Sequence, residues 1–385
     1  MEIKLGNKKI GQGHPVFIIA ELSGNHLQDY SRAEKLVRAA AVAGADAVKL
    51  QTYTPDTMTI DSDKEWFFVG GKDNPKDWQG QTLYELYKKA MTPWEWHPKL
   101  MKLATDLGLV FFSTPFDASA VDFLETLNVP CYKIASYEVT DIPLLKTVAS
   151  TKKTVIVSVG FATLDEIEEA VKTLRENGTT DLALLHCLTS YGSDSDIVNA
   201  YLANIKDLQG RFNVVSGFSD NNAGIQLPVK AVKVGALIIE KHLTLSRADG
   251  GPDAQFSLEP AEFKEMVRRI RAGTSPTLLF AKEGERGSSN RVHYGPANEK
   301  EEYNKRFRRS IFAVKDIKKG EKLTAENIRV IRPAFGLQPK LYESILGKTA
   351  TKDIKRETPL KWEMVRFDTL ADSRPGRVKY INPKK

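Results

Sequence analysis

The sequence predicts an α/β fold in which a (β/α)8 TIM barrel is followed by a smaller domain. Three observations lead to it. Short apolar runs alternate with amphipathic helical segments up to about residue 270, the pattern of parallel strands joined by crossover helices. The runs number eight, as barrel closure requires. Polar or ionisable residues stand at or just beyond the end of each run, where barrels of this class place their chemistry.

In order, the runs are residues 16–20, 47–50, 109–112, 131–135, 155–159, 182–187, 214–218 and 236–240. Between them lie segments such as SRAEKLVRAAAVAG, ASAVDFLETLN, TLDEIEEAVKTLRENG and GIQLPVKAVKVG, several closing on a glycine suited to a left-handed C-cap. The first run leads to Glu21, Asn25 and His26, the second to Lys49 and Gln51, the third to Ser113 and Thr114. Lys133, Ser136 and Glu138 surround the end of the fourth, and Ser158 that of the fifth. His186 and Tyr191 belong to the sixth, Ser219, Asp220 and Asn221 to the seventh, Lys241 and His242 to the eighth. Any one of these could be a cap or a solvated loop residue. Together, so many ionisable groups at one barrel mouth are hard to obtain from structural needs alone. A long excursion, residues 52–96, follows the second run, and the aromatic residues of its WFFVGG, WQGQTLYELYKK and TPWEW segments suit either a lid over a sugar or packing against the barrel or a partner subunit.

Composition excludes several classes. With 385 residues and 41% hydrophobic content, the chain can bury one large core and a smaller companion. No apolar stretch approaches a bilayer span, and MEIKLGNKKIGQGHP has no apolar signal core, so a cytoplasmic protein without membrane partners is expected. Cys131 and Cys187, each inside an apolar run, read as buried thiols and not as a disulfide. The net charge of +7 comes from dispersed basic residues with no aromatic-basic RNA motif, which favours a small anionic substrate over nucleic acid.

Further segments carry a resemblance. FIIAELSGNH, GADAVKLQTYTPDT, LVFFSTPFD, YKIASYE, IVSVGFAT, EKHLTL, GGPDAQFSLEP, RRSIFAVKDIKKGE and RPAFGLQPK, in order along nearly the whole chain, resemble the sialic acid synthases. ELSGNH with LQTYTPDT looks more like the pseudaminic acid synthases among them than like N-acetylneuraminate or legionaminate synthases. The resemblance implies condensation of phosphoenolpyruvate with an amino sugar, here a 2,4-diacetamido-2,4,6-trideoxy hexose of altrose type, plus water, giving a nine-carbon sugar acid and phosphate. RRSIFAVKDIKKGEKLTAENIRVIRPAFGL is similar to the antifreeze-like (SAF, β-clip) domain of these synthases, which there crosses to the other subunit, so a domain-swapped homodimer is implied. The expected division is 1–283 barrel, 284–306 linker, 307–367 antifreeze-like domain and 368–385 basic tail.

By the same resemblance, Lys49 and Thr114 would hold the carboxylate of phosphoenolpyruvate, and Lys133, Ser136, Ser158, Thr189 and Ser219 its phosphate. Ammonium groups and hydroxyls suit that work. Glu21, Glu138 and His242 would be catalytic, Glu21 moving a proton or placing the water. Gln51, Tyr191, Asp253 and Arg332 would bind the sugar, Arg332 reaching in from the antifreeze-like domain. These synthases polarise the sugar aldehyde with a divalent metal, commonly manganese, held by histidines in an SDH and an EKH segment. This chain has SDNN and EKH, so Asn221 stands beside His242 as the implied ligand, a weaker oxygen donor suited to Mn2+ or Mg2+. A homologue that lost catalysis with that change is the competing reading, against which Glu21, Lys49, Lys133 and Glu138 all speak. A sugar-binding or ice-binding module would use the small domain alone and leave the barrel unexplained.

Overall fold

Each apolar run forms a parallel strand. The computed structural model describes residues 1–70, 78–189, 200–273 and 291–366. Two short strands, β1 (Glu2–Leu5) and β2 (Lys8–Gly11), come first. The barrel strands follow: β3 (Phe17–Glu21), β4 (Ala47–Thr52), β5 (Val110–Pro115), β6 (Cys131–Ile134), β7 (Thr154–Ser158), β8 (Leu182–Leu188), β9 (Val215–Asp220) and β10 (Ile238–His242). They close in the order β10-β3-β4-β5-β6-β7-β8-β9. Because helices cover the outside and side chains fill the inside, the strands are apolar on both faces.

The outer layer consists of α1 (Tyr30–Ala43), α4 (His97–Asp106), α5 (Ala118–Thr126), α6 (Ile142–Ser150), α7 (Leu164–Glu176), α8 (Ala203–Phe212), α9 (Gln226–Lys233) and α10 (Pro260–Gly273), while α2 (Pro55–Met58) and α3 (Leu83–Ala90) stand at the barrel mouth. Asp29, Asp117, Asp141 and Thr163 accept backbone N–H groups as N-caps, and Gly44 closes α1 in the left-handed region. Several strands extend past their apolar runs: β4 reaches Thr52, β5 Pro115, β9 Asp220 and β10 His242. Glu21, Gln51, Thr114, Ser219 and His242 therefore sit on the hydrogen-bonded ladder itself, which is stiffer support than a loop.

The antiparallel hairpin of β1 and β2 was not expected from the sequence. Its Ile3, Leu5 and Ile10 pack into one cluster with residues from all eight barrel strands, from Phe17 and Ile19 of β3 to Ile238 of β10. It seals the floor opposite the mouth, and Thr154 Oγ1 donates to Lys4 O at 2.7 Å to fix it there.

After α11 (Glu299–Asn304) come the small strands β11 (Ser310–Ala313), β12 (Ile328–Ile331), β13 (Thr349–Ala350) and β14 (Val365–Arg366), around a separate core that includes Ile311, Leu323, Leu337 and Leu360. This unit caps the barrel mouth. Arg332 N donates to Met58 O at 2.8 Å, Thr59 Oγ1 to Arg332 O at 2.9 Å, and Arg309 Nη1 to Thr57 O at 2.9 Å. Within one chain the cap sits on its own barrel. The expected linker is not plain tether: of its described part, 291–306, residues 299–304 are helical. The basic tail from 368 onward lies outside the described residues. Cys131 and Cys187 are buried and free, and no helix among the described residues is long and apolar enough to cross a membrane.

Candidate active site

Strand alternation puts Lys49 and Gln51 on one face of β4, and Glu240 and His242 on one face of β10. Register then aligns His242 with Glu21, Glu21 with Lys49, and Gln51 with Thr114. The result is a buried group of two ammonium and two carboxylate side chains. Lys49 Nζ pairs with Glu21 and donates to Thr114 Oγ1 at 3.1 Å. Lys133 Nζ lies 3.2 Å from Glu240 Oε1, Ser219 Oγ donates to the same oxygen at 3.1 Å, and Lys49 is 3.8 Å away from it. Balanced charge is what makes burial of all four tolerable.

Their protonation preferences are pushed apart. Burial lifts the Glu21 carboxyl above its ordinary range, over the opposing pull of Lys49. Burial also works to lift Glu240, but the ammonium groups of Lys133 and Lys49 outweigh it and hold this carboxyl low. Lys133 is pushed down by burial, whereas at Lys49 the charges of Glu21 and Glu240 overcome burial and raise it. A carboxyl inclined to keep its proton thus stands near an amine inclined to shed one, the arrangement acid-base chemistry uses.

At one end of the pocket, the Ser136 and Ser158 hydroxyls are buried with no hydrogen-bond partner among the described residues. They stand with Lys133 and Ser219, which both donate to Glu240, on one wall of the pocket, so two hydroxyls there lack a partner. Gly160, with φ of 31°, lets the backbone come close: a Cβ there would stand 2.6 Å from Ser136 Oγ and 3.1 Å from Thr189 Cγ2. Thr189 lines this end but differs from expectation. Its N–H and its hydroxyl both donate to Glu301 Oε1 at 2.9 Å, so the hydroxyl expected to grip phosphate is already engaged.

The other end is aromatic, walled by Tyr53, Tyr87, Phe116, Tyr137 and Phe307. Arg332 enters it from the cap, donating from Nη2 to Glu138 Oε1 at 2.6 Å and from Nη1 to the Tyr87 hydroxyl at 3.1 Å, with the guanidinium 4.9 Å from the Tyr137 ring centre. Glu138, expected to be catalytic, is fully buried behind Arg332 and is not on the pocket wall. Arg309 Nε, 3.6 Å from the same carboxylate oxygen, adds a second cap arginine, so Glu138 is occupied as an anchor. Gln51 and Asp253 are on the wall, Gln51 Nε2 donating to Glu21 Oε1 at 3.3 Å and Asp253 lifted above the usual carboxylate range by burial. Tyr191 lies outside the described residues.

His242 and Asn221 also line the pocket. Burial, with Lys49 nearby, presses the His242 ring down to about 3, so it is neutral and can offer a lone pair, and its Nδ1 is 3.3 Å from Ser23 Oγ. Asn221 Nδ2 donates to Leu188 O at 3.0 Å, which leaves the amide oxygen for a ligand. Behind them, Lys241 and Asp220, paired at 2.6 Å and in register, tie the ends of β10 and β9 together. Among the described residues, no three His, Cys, Asp or Glu side chains cluster as a metal cage. The donor set fits an open divalent site of one imidazole and one amide oxygen, completed by substrate and water, and does not fit a closed cage.

Sequence reasoning passed over three residues. Glu240 stood inside an apolar run, yet it precedes His242 by two positions, and strand alternation alone would have placed it on the same face. Glu301 and Arg309 are recognisable only from the folded contacts, since nothing in their local sequence points to the pocket.

Residues 36–276 match the NeuB family model, and residues 308–366 match the SAF domain model. The chain is 42% identical to the pseudaminic acid synthase of Campylobacter jejuni over 346 residues, covering 90% of this chain and 95% of that protein. It is 35% identical to the N,N'-diacetyllegionaminic acid synthase of Legionella pneumophila over 364 residues, covering 94% and 97%. The crystal structure of the spore coat polysaccharide biosynthesis protein SpsE from Bacillus subtilis superposes with a TM-score of 0.80 at 32% identity, covering 96% of this chain and all of that one.

Proposed function

We propose, from the premise that the chain belongs to the NeuB family and carries a SAF domain, that it is a pseudaminic acid synthase. It joins phosphoenolpyruvate to a 2,4-diacetamido-2,4,6-trideoxy hexose and releases phosphate. The observation that carries this reading is the two-ended pocket: lysines and unpartnered hydroxyls at one end, aromatic rings and a cap arginine at the other. The first end suits a small phosphorylated acid. The second suits a sugar with two acetyl methyls and a deoxy carbon, since aromatic faces accept methyl groups better than hydroxyls.

In the reaction, Lys133, Ser136, Ser158 and Ser219 hold the phosphate, and Lys49 with Thr114 holds the carboxylate. Lys133 and Lys49 must then trade their contacts to Glu240 and Glu21 for contacts to substrate oxyanions. Carbon 3 of phosphoenolpyruvate attacks the sugar aldehyde carbon, and the aldehyde oxygen takes up a proton. Water adds at carbon 2 and loses a proton, and the tetrahedral intermediate expels phosphate to leave the 2-oxo acid. Glu21, inclined to retain its proton and bonded to Gln51 and Lys49, is the group placed for these transfers. Gln51, Asp253 and Arg332 orient the sugar, and Glu138 holds Arg332. A divalent cation, manganese or magnesium, would be held by His242 and Asn221 and would supply Lewis-acid polarisation of the aldehyde.

The swapped homodimer belongs to the same proposal. Its support is the family resemblance alone. The function is tested by incubating the protein and phosphoenolpyruvate with the diacetamido altrose sugar, its legionaminate precursor isomer or N-acetylmannosamine, with and without chelator. Phosphate release highest with the altrose sugar and abolished by chelator supports the reading. A higher kcat/KM for either other sugar would make the chain a legionaminate or neuraminate synthase instead.

A further inference from the structure

Resting on the phosphoenolpyruvate reading of the pocket, we infer that Glu301 and Asn304 of α11 are positioning residues of the active site, holding Thr189 so that the phosphate end keeps its shape. All three polar groups of Thr189 are taken by this helix. Glu301 Oε1 accepts the Thr189 N–H and hydroxyl, both at 2.9 Å, and Asn304 Nδ2 donates to Thr189 O at 3.0 Å. Glu301 Oε2 accepts from Ala297 N at 2.9 Å, so both carboxylate oxygens are engaged, and the Glu301 N–H donates to Asn298 Oδ1 at 2.9 Å at the start of the helix. Glu301 is 3% exposed and Asn304 fully buried. The donors to its two oxygens are two backbone N–H groups and one hydroxyl.

A tether for a linker could bond to any surface loop. This one grips a residue on the pocket wall and selects which of its faces the pocket sees. With its hydroxyl tied back to Glu301, Thr189 turns its methyl toward Gly160, where Ser136 also converges. Lost, the clamp would free the hydroxyl and leave a buried N–H without an acceptor beside the phosphate donors. The same stretch runs on through Phe307, a pocket-wall residue, into β11, so the seating of the cap and the shape of the phosphate end are carried by one continuous segment.

The test uses full-length Glu301→Ala, Glu301→Gln, Asn304→Ala and Thr189→Val, with Thr189→Val also combined with Glu301→Ala. Two readouts are taken: calorimetric titration with phosphoenolpyruvate alone, and hydrogen exchange of the peptide containing Leu188 and Thr189. Glu301→Ala should weaken binding on the order of tenfold, the effect of one buried group left unpaired, while Glu301→Gln, whose amide oxygen still accepts, stays within about twofold. Thr189→Val should add nothing in the Glu301→Ala background. Exchange protection at Thr189 should fall in Glu301→Ala and return in Glu301→Gln. Unchanged protection in Glu301→Ala would overturn the inference. So would equal weakening by Thr189→Val in both backgrounds, since the hydroxyl would then serve the ligand directly. Failure of the functional reading looks different: wild-type protein binds no phosphoenolpyruvate, and the exchange readout, which needs no ligand, still decides the clamp.

Discussion

Replacing Lys133 by methionine separates the two jobs this side chain performs. Its ammonium is the nearest cation to Glu240, at 3.2 Å, in a fully enclosed site. Breaking one partner of a buried pair costs about 3 to 5 kcal/mol, because the remaining charge is stranded. Here the lower end applies, since Ser219 still donates to Glu240 and Lys49 remains 3.8 Å away. A loss of about 3 kcal/mol in a chain of this size lowers the melting temperature by roughly 4 °C. The deficit should shrink below neutral pH, because without Lys133 burial raises the Glu240 carboxyl and protonation discharges it. The double variant Lys133→Met/Glu240→Gln removes the stranded charge and should recover most of the stability. It should not recover phosphate release, which falls on the order of 100-fold or more in both, as expected when a positioned cation is lost. Thermal denaturation and a phosphate-release assay on the same preparations decide the matter. A single variant melting like wild type, or a double variant with restored turnover, would refute the reasoning.

Three further outcomes are expected. Gly160→Ala should weaken phosphoenolpyruvate binding at least about tenfold by calorimetry, because its Cβ meets Ser136 Oγ at 2.6 Å and its φ is positive, and wild-type affinity would show that the backbone can yield. Mixing Arg332→Ala chains with Lys49→Ala chains should restore phosphate release if caps are exchanged, since one site per dimer is then intact; a cap held on its own barrel gives no restoration. His26, His97 and His186 are each pushed by burial down to about 4, below the ordinary 6.5, so their contribution is complete above pH 6.5 and lost as pH falls toward 4. At up to about 3 kcal/mol each, His97→Gln should visibly flatten the fall of the urea midpoint between pH 7 and 4, and an unaltered slope would count against the assignment.

The barrel was legible because its strands are apolar on both faces, leaving a plain succession of runs that periodicity can count. Lys49, Lys133, Ser136, Ser158 and Ser219 were legible for the same reason, standing where runs end. Glu138 was read as catalytic because position places it at the mouth, and position does not show that two arginines from beyond residue 308 would cover it. Thr189 was read by its hydroxyl, whose partner lies 112 residues away. The N-terminal hairpin escaped because β1 and β2 have four residues each, too few for alternation to register against its polar surroundings. Local pattern carries the scaffold, whereas the pairing of specific polar atoms depends on contacts between distant segments.

That hairpin also sets an order on biosynthesis. Ile3, Leu5 and Ile10 leave the ribosome well before Ile238 of the last barrel strand, which belongs to the socket they fill. At about 5 to 20 residues per second, the stopper waits roughly 10 to 50 s for its seat to be finished. Throughout that interval three aliphatic side chains and the unfinished barrel floor have no native cover, the period in which a nascent chain is most open to chaperones and to misassociation. Met1 itself remains about half exposed, so an extension there leaves the seal untouched, whereas trimming the first ten residues would uncork the finished barrel.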